Sequence, residues 1–174
     1  DEDIEFYSVL RSVRAIEESD VCMLLIDAQD GVQHQDQHIF SLIAKAGKGV
    51  VVVVNKWDLL QKETNTAKEY EDQVRAKFAP FNDVPVVFTS VIGKQRIHKA
   101  LELAMQVHAD RRKRIATRKL NDVLLPEIER RPPPSVKDKL VRIKYITQLP
   151  GVVPAFAFFC NLPQYVPDSY ARFL

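Results

Sequence analysis

Over roughly the first two thirds of the chain, apolar positions alternate between helical spacing and unbroken runs. Ile4, Val9, Val13 and Ile16, with Phe6, Tyr7 and Leu10 between them, form a helix-period stripe over 4–18. Val21–Ile26 is an apolar run closing on Asp27, which predicts a strand buried on both faces. Asp30-Gly31 marks a turn. Ile39, Leu42, Ile43 and Ala46 predict a helix over 36–46, stopped at Gly47. Val50–Val54 is pure valine, the strongest strand signal in the chain. Tyr70, Val74 and Phe78 give a polar helix over 64–79 its inward face, and Pro85–Phe88 reads as a short strand. Ile97, Leu101, Ala104, Met105 and Val107 predict a helix from Lys94 to about Arg114. Strands alternating with helices in this way predict an α/β fold, a doubly wound parallel sheet with right-handed crossovers. Ligands of such sheets sit beyond the carboxyl ends of the strands.

The rhythm then changes. Leu120, Val123, Leu124 and Ile128 predict a helix over 117–130, with Pro126 inside it as an expected kink. Arg131-Pro132-Pro133-Pro134 is a stiff extended connector. Residues 140–147 alternate. Val141, Ile143, Tyr145 and Thr147 share one face, with Arg142, Lys144 and Ile146 on a basic outer face. Pro150-Gly151 marks a turn, Ala155–Cys160 a second strand, and Pro167-Asp168 the start of another helix. The order α-β-β-α predicts a small α+β domain.

Charge follows the same division. Residues 1–110 hold 12 Lys and Arg against 18 Asp and Glu, a net of −6, whereas residues 111–174 hold 13 against 5, a net of +8. Two prolines precede residue 110 and eight follow it. Two composition regimes predict two domains, 1–114 and 115–174, joined near the Arg111–Arg114 run. A basic domain of this size predicts a polyanionic partner. Its candidate contacts are Arg130, Arg131, Lys137, Lys139, Arg142 and Lys144, together with the Arg111–Arg114 run. The alternative is a solvated face, or one meeting the acidic first domain. With 46% hydrophobic and 28% charged residues, the chain reads as soluble and globular, not disordered. Gly49–Val54 is the longest apolar run, too short to span a bilayer, and no basic-then-apolar leader opens the chain, so no membrane partner is expected. Cys22 and Cys160 lie in apolar runs and read as two buried thiols in a reducing compartment. His34 and His38 share helical spacing, but no third ligand accompanies them, so no metal site is expected.

Two loops follow strand ends closely enough to carry chemistry: Asn55-Lys56-Trp57-Asp58 after the valine strand, and Thr89-Ser90-Val91 after Pro85–Phe88. Guanine presents N1–H and N2–H₂ side by side on one edge, and a carboxylate at Asp58 accepts both in a charge-assisted fork. Adenine lacks that pair and would leave the carboxylate desolvated and unmatched, a discrimination of about 10⁴. Asn55 would tie the loops together and reach the O6/N7 edge. The stem of Lys56 would lie along the base with its ammonium in solvent. Ser90 would brace Asp58, and a backbone N–H near Val91 would donate to O6. Trp57 is either a lid on the base or a packing residue. The plain alternative for Asp58 is an N-cap of the next helix.

At these residues the sequence resembles the translation-factor-related GTPases, with Asn55-Lys56-Trp57-Asp58 as their base-specificity motif and Ser90-Val91 as their later loop, Val91 standing where alanine is usual. Tyr7-Ser-Val-Leu-Arg-Ser-Val-Arg-Ala-Ile-Glu, Ala46-Gly-Lys-Gly, Arg131-Pro-Pro-Pro and Pro167-Asp-Ser-Tyr extend the likeness across the chain to the bacterial double-Era-like (Der or EngA) family. The resemblance implies the back part of a P-loop-NTPase-type second GTPase domain followed by a KH-like domain without its last strand. It further implies GTP and GDP as ligands, Mg²⁺ and GTP hydrolysis in the intact parent, and a cytoplasmic role in large-subunit ribosome assembly. The implied partners are rRNA and the parent's first GTPase domain, with no DNA. The guanine set it implies is Asn55, Lys56, Trp57, Asp58, Ser90 and Val91. These 174 residues hold no Gly-x-x-x-x-Gly-Lys-Ser/Thr and no Asp-x-x-Gly, so no GTP turnover is expected of this polypeptide by itself. Nor do they hold the Gly-x-x-Gly loop with which KH domains grip RNA. Two other readings are a nucleotide-independent RNA-binding module and an Era-type GTPase with a KH tail. The triple proline and the missing Gly-x-x-Gly favour the Der family over Era.

Overall fold

The computed structural model describes residues 2–61, 63–135 and 139–174, with the side chains of residues 2–9 outside that description. The apolar stripe expected at Ile4, Phe6, Tyr7 and Val9 therefore lies outside it, as does Lys137. The chain forms two compact units, Asp1–Arg111 and Arg112–Leu174. The first runs α1 (Glu2–Glu18), β1 (Val21–Asp27), α2 (His34–Lys45), β2 (Gly49–Asn55), a 3₁₀ turn (Trp57–Leu59), α3 (Thr66–Lys77), β3 (Val86–Phe88) and α4 (Ile97–Arg111). Among the described residues no helix is long and apolar enough to cross a membrane.

The valine run occupies the middle of a parallel sheet ordered β1-β2-β3. Its neighbours pair from Val21↔Gly49 to Asp27↔Asn55 on one side and from Val52↔Val86 to Val54↔Phe88 on the other. Alternate valines feed two cores. Val52 and Val54 join Leu24, Ile26, Phe40, Trp57, Val74 and Phe78 on the face covered by α2 and α3. Val51 and Val53 join Val87 and Ala100 under α4. Helices on both faces make this the doubly wound α/β sheet that the pattern predicts.

β1 departs from expectation. Leu24 and Ile26 are buried, but Met23 is 42% and Leu25 58% exposed, so the strand is buried on one face only. The helix on the other face, α4, is centred on β2, and Met23 and Leu25 line an open apolar cleft with Val53, Ala100 and Leu101. Cys22 and Cys160 are likewise half-buried free thiols, not fully buried ones. Cys22 is on the edge strand, where its Sγ lies 3.2 Å from Ser19 Oγ.

Arg111 is a structural bolt. Its guanidinium donates to the carbonyls of Asp20 and Gly47, and its stem packs at Gly49, where a Cβ would meet Val107, Arg111 and Val21 at 2.7–3.0 Å. The guanidinium is thereby engaged within the first unit.

The second unit holds α5 (Thr117–Arg130), β4 (Ile143–Gln148), β5 (Phe156–Cys160), a 3₁₀ turn (Pro163–Tyr165) and α6 (Asp168–Ala171). α5 runs unbroken through Pro126, which removes one N–H from an otherwise complete helix. β4 and β5 are antiparallel, with an irregularity between Ile143↔Cys160 and Tyr145↔Phe159. The extra residue, Lys144, is a bulge that shifts the alternation by one. Ile146 therefore turns inward and is 0% exposed, whereas Tyr145 is 40% exposed against Phe159, reversing the faces expected for both. Asn121 of α5 clamps this strand: its Oδ1 accepts the Ile146 N–H at 2.9 Å and its Nδ2 donates to the Ile146 carbonyl at 2.8 Å.

Phe40 of α2 is 4% exposed and stacked on Phe78 with ring centres 4.2 Å apart. Phe40→Ala in the full-length protein is expected to lower stability by about 3–5 kcal/mol, read by denaturant unfolding.

Candidate functional site

The parallel register sets Asp27 beside Asn55 at the carboxyl edge of the sheet. Backbone bonds continue the ladder past the strands, with Ala28 N–H on the Asn55 carbonyl at 2.9 Å and Trp57 N–H on the Thr89 carbonyl at 3.0 Å. Three loops, at 27–31, 55–60 and 89–96, therefore converge.

Asn55 joins two of them. Its Oδ1 accepts from the Thr89 hydroxyl and from the Val91 N–H, each at 3.3 Å. The tie between loops is thus as expected, and the Val91 N–H that the sequence reading offered to O6 donates to Asn55 in this structure. Ser90 is 1% exposed, and its hydroxyl accepts the Gly93 N–H at 3.0 Å. A Cβ on Gly93 would come within 2.9 Å of that hydroxyl, so the turn needs glycine there.

Lys56 adopts φ 60° and ψ 29°, left-handed backbone that a non-glycine residue reaches at a cost of about 1–2 kcal/mol. This twist turns the chain into the Trp57–Leu59 3₁₀ turn. Trp57, carried in the candidate guanine set, is a core residue: it is 7% exposed, with its ring 4.1 Å from Phe88 and edge-on to Tyr70 at 5.3 Å. Its indole anchors the loop from beneath and leaves no face for a base. Asp58, the next residue, is exposed at the same edge. It is not an N-cap, because α3 begins at Thr66 with Asn65 in the capping position.

The Lys56 side chain is exposed, as the sequence suggested, but its ammonium does not stand alone. It donates to Asp27 Oδ2 at 2.5 Å, while Asp27 Oδ1 accepts the Gln29 N–H at 2.9 Å. Hydrogen bonding to Lys56, then to Gln29 N–H, holds the Asp27 carboxyl below the ordinary carboxylate range, and the Asp27 bond raises Lys56 in turn. Tyr70 hydroxyl donates to the Ala28 carbonyl at 2.9 Å. Burial first, then the charges of Asp27 and Asp30, push this phenol up, so it stays a donor. Asp27 is the residue that sequence reasoning missed; its only signal was a charge closing an apolar strand.

The basic candidates of the second unit are dispersed. Arg130 pairs with Glu127 at 2.6 Å, and the Arg131 guanidinium lies 6.0 Å from the Phe173 ring centre. Lys139, Arg142 and Lys144 are exposed, Arg142 and Lys144 flanking Ile143 at the bulge.

Residues 7–110 match the family described as the elongation factor Tu GTP binding domain, and residues 114–174 match the KH-domain-like, C-terminal region of EngA bacterial GTPase enzymes. GTPase Der of Christiangramia forsetii is 58% identical over 173 residues, covering 99% of this chain and 40% of that protein. GTPase Der of Porphyromonas gingivalis is 54% identical over 174 residues with the same coverage. The chain thus spans about 40% of the length of these relatives. A solved structure of a probable GTP-binding protein, EngB, shares the fold at 18% identity and a TM-score of 0.51, over 63% of this chain and 67% of that one.

A depressed carboxyl contributes fully above its unfolded value and loses its contribution as pH falls through the lower folded value. A carbon-detected NMR titration is therefore expected to place the Asp27 midpoint below 3.8. In Lys56→Met it is expected to move back up toward that value.

Proposed function

The chain belongs to the elongation-factor-Tu-type family of GTP-binding domains, in its Der branch with a KH-like region, and from that premise we propose that it carries the guanine-reading end of a GTP-hydrolysing switch. The single observation behind this reading is an exposed carboxylate, Asp58, set at the carboxyl edge of the sheet by a buried tryptophan.

A carboxylate is acceptor-only and fits two adjacent N–H donors, which is the guanine edge. The stem of Lys56, its ammonium held by Asp27, forms one wall for the base. Asn55 has its Oδ1 taken by the loops, so its amide N–H groups are what it offers the O6/N7 edge. The Ser90–Val91 turn walls the O6 side. Residues 1–114 form part of the GTPase domain and 115–174 the KH-like domain. The resemblance to Der proteins supports GTP and GDP as ligands and GTP hydrolysis with Mg²⁺ in the intact parent. The phosphate and Mg²⁺ ligands are not among these residues. It also supports a cytoplasmic role in large-subunit assembly, with the parent's first GTPase domain as a partner. The net charge of +8 over residues 111–174 supports rRNA contact, with Arg142 and Lys144 at its centre and Arg130, Arg131, Lys137 and Lys139 around them.

In the full-length protein, Asp58→Asn is expected to weaken fluorescent GDP by about 100-fold or more and to gain xanthosine diphosphate, whose edge matches an amide. An unchanged preference would leave the nucleotide-independent RNA module as the reading. Arg142→Glu with Lys144→Glu is expected to weaken rRNA binding and to lower the salt slope by about 2. Filter binding at several salt concentrations measures this, and an unaltered slope counts against RNA contact at the bulge.

A further inference from the structure

We propose that Asp27 is a positioning residue of the nucleotide site, one that acts on the base through Lys56 and not by touching the ligand. The inference rests on the guanine reading above and adds to it a residue from a different loop.

Four observations carry it. Asp27 ends β1, and its register partner is Asn55, the first residue of the base-reading loop, so the sheet itself fixes the separation of the two loops. Its carboxylate is gripped by two donors from different loops, the Lys56 ammonium at 2.5 Å and the Gln29 N–H at 2.9 Å, which orients both oxygens. Lys56 sits in left-handed backbone between β2 and the 3₁₀ turn, a conformation its own chemistry does not favour. The loop carrying Asp27 is itself tied to α3 by the Tyr70 hydroxyl on the Ala28 carbonyl.

A lysine has four rotatable side-chain bonds, and an exposed one samples many rotamers at an entropic cost when ordered. The Lys56 side chain is 51% exposed, yet its ammonium is held at one point by a carboxylate that is only 24% exposed. Tethering the far end restricts the methylene stem to paths between the Lys56 backbone and Asp27. A base that packs on that stem then meets a surface already ordered, and binding no longer bears the cost of ordering it. Asp58 selects the base by its donors; Asp27 prepares the wall against which the base lies. The two carboxylates therefore have separable signatures, one in specificity and one in affinity.

The test is a double-mutant cycle in the full-length protein, read by equilibrium binding of fluorescent GDP and xanthosine diphosphate. Asp27→Asn removes the charge while keeping the shape. It is expected to weaken GDP about 5- to 20-fold with the guanine-over-xanthine ratio unchanged. Lys56→Met keeps an unbranched stem without the ammonium and is expected to show a loss of similar size. The double variant is expected to be no worse than Lys56→Met within about twofold, because both changes cut the same tether. Wild-type affinity in Asp27→Asn overturns the proposal. So does a loss that multiplies independently with Lys56→Met, the mark of a merely structural role. If Asp27→Asn melts several degrees lower without nucleotide, Asp27→Glu replaces it. That variant retains the charge and is expected to restore most of the GDP affinity; failure to do so also overturns the proposal. Asp58→Asn is measured alongside. If it leaves base preference unaltered, the guanine reading falls. If it switches preference while Asp27→Asn is silent, only the role of Asp27 falls.

Discussion

β2 is hydrogen-bonded along both edges and covered on both faces, and three of its valines have no solvent exposure at all. A strand in that position has no freedom to slip. A one-residue shift would exchange the valines facing α2 and α3 for those facing α4 and unpair Asp27 from Asn55. Parallel pairing also sends every strand end to the same edge. The loops after β1, β2 and β3 meet there because the sheet leaves them nowhere else to go, and the chemistry of the first unit inherits its geometry from that constraint.

The loops then solve a local problem. Leaving β2, the chain must turn sharply enough to bury Trp57 while keeping Asp58 outside. Left-handed backbone at Lys56 makes the turn, at a cost of about 1–2 kcal/mol. Burial of a tryptophan among Phe88 and Tyr70 more than offsets it, since aromatic side chains contribute several kcal/mol in a core. The ion pair with Asp27 adds direction to an otherwise mobile side chain. Packing beneath and charge above thus act on consecutive residues, which is why Trp57 and Asp58 have opposite surroundings.

Much of this was legible in the string of residues. The valine run, the helical stripes and the Asn-Lys-x-Asp loop announce themselves because apolar periodicity and a strand-end motif are local properties. Helix bounds read from periodicity lie within a few residues of those observed. What escaped was set by partners far along the chain. Asp27 looked like a polar stop to a strand, and its link to Lys56 spans 29 positions. Arg111 looked like one of four basic residues, and only the approach of the α4 end to the carbonyls of Asp20 and Gly47 shows it engaged. In the second unit, alternation placed Tyr145 inside and Ile146 outside, but the bulge at Lys144 exchanged them, because one unpaired residue inverts every face that follows it.

The order of elements, the two charge regimes and the presence of a carboxylate four residues past the last valine of the valine run were determined by the sequence alone, since each follows from spacing between neighbours. Which lysine is tethered, which valines face which helix, and which face of β4 is apolar were decided only by the tertiary structure. Those depend on strand register and on where distant backbone carbonyls and carboxylates arrive, distances that a linear pattern does not contain.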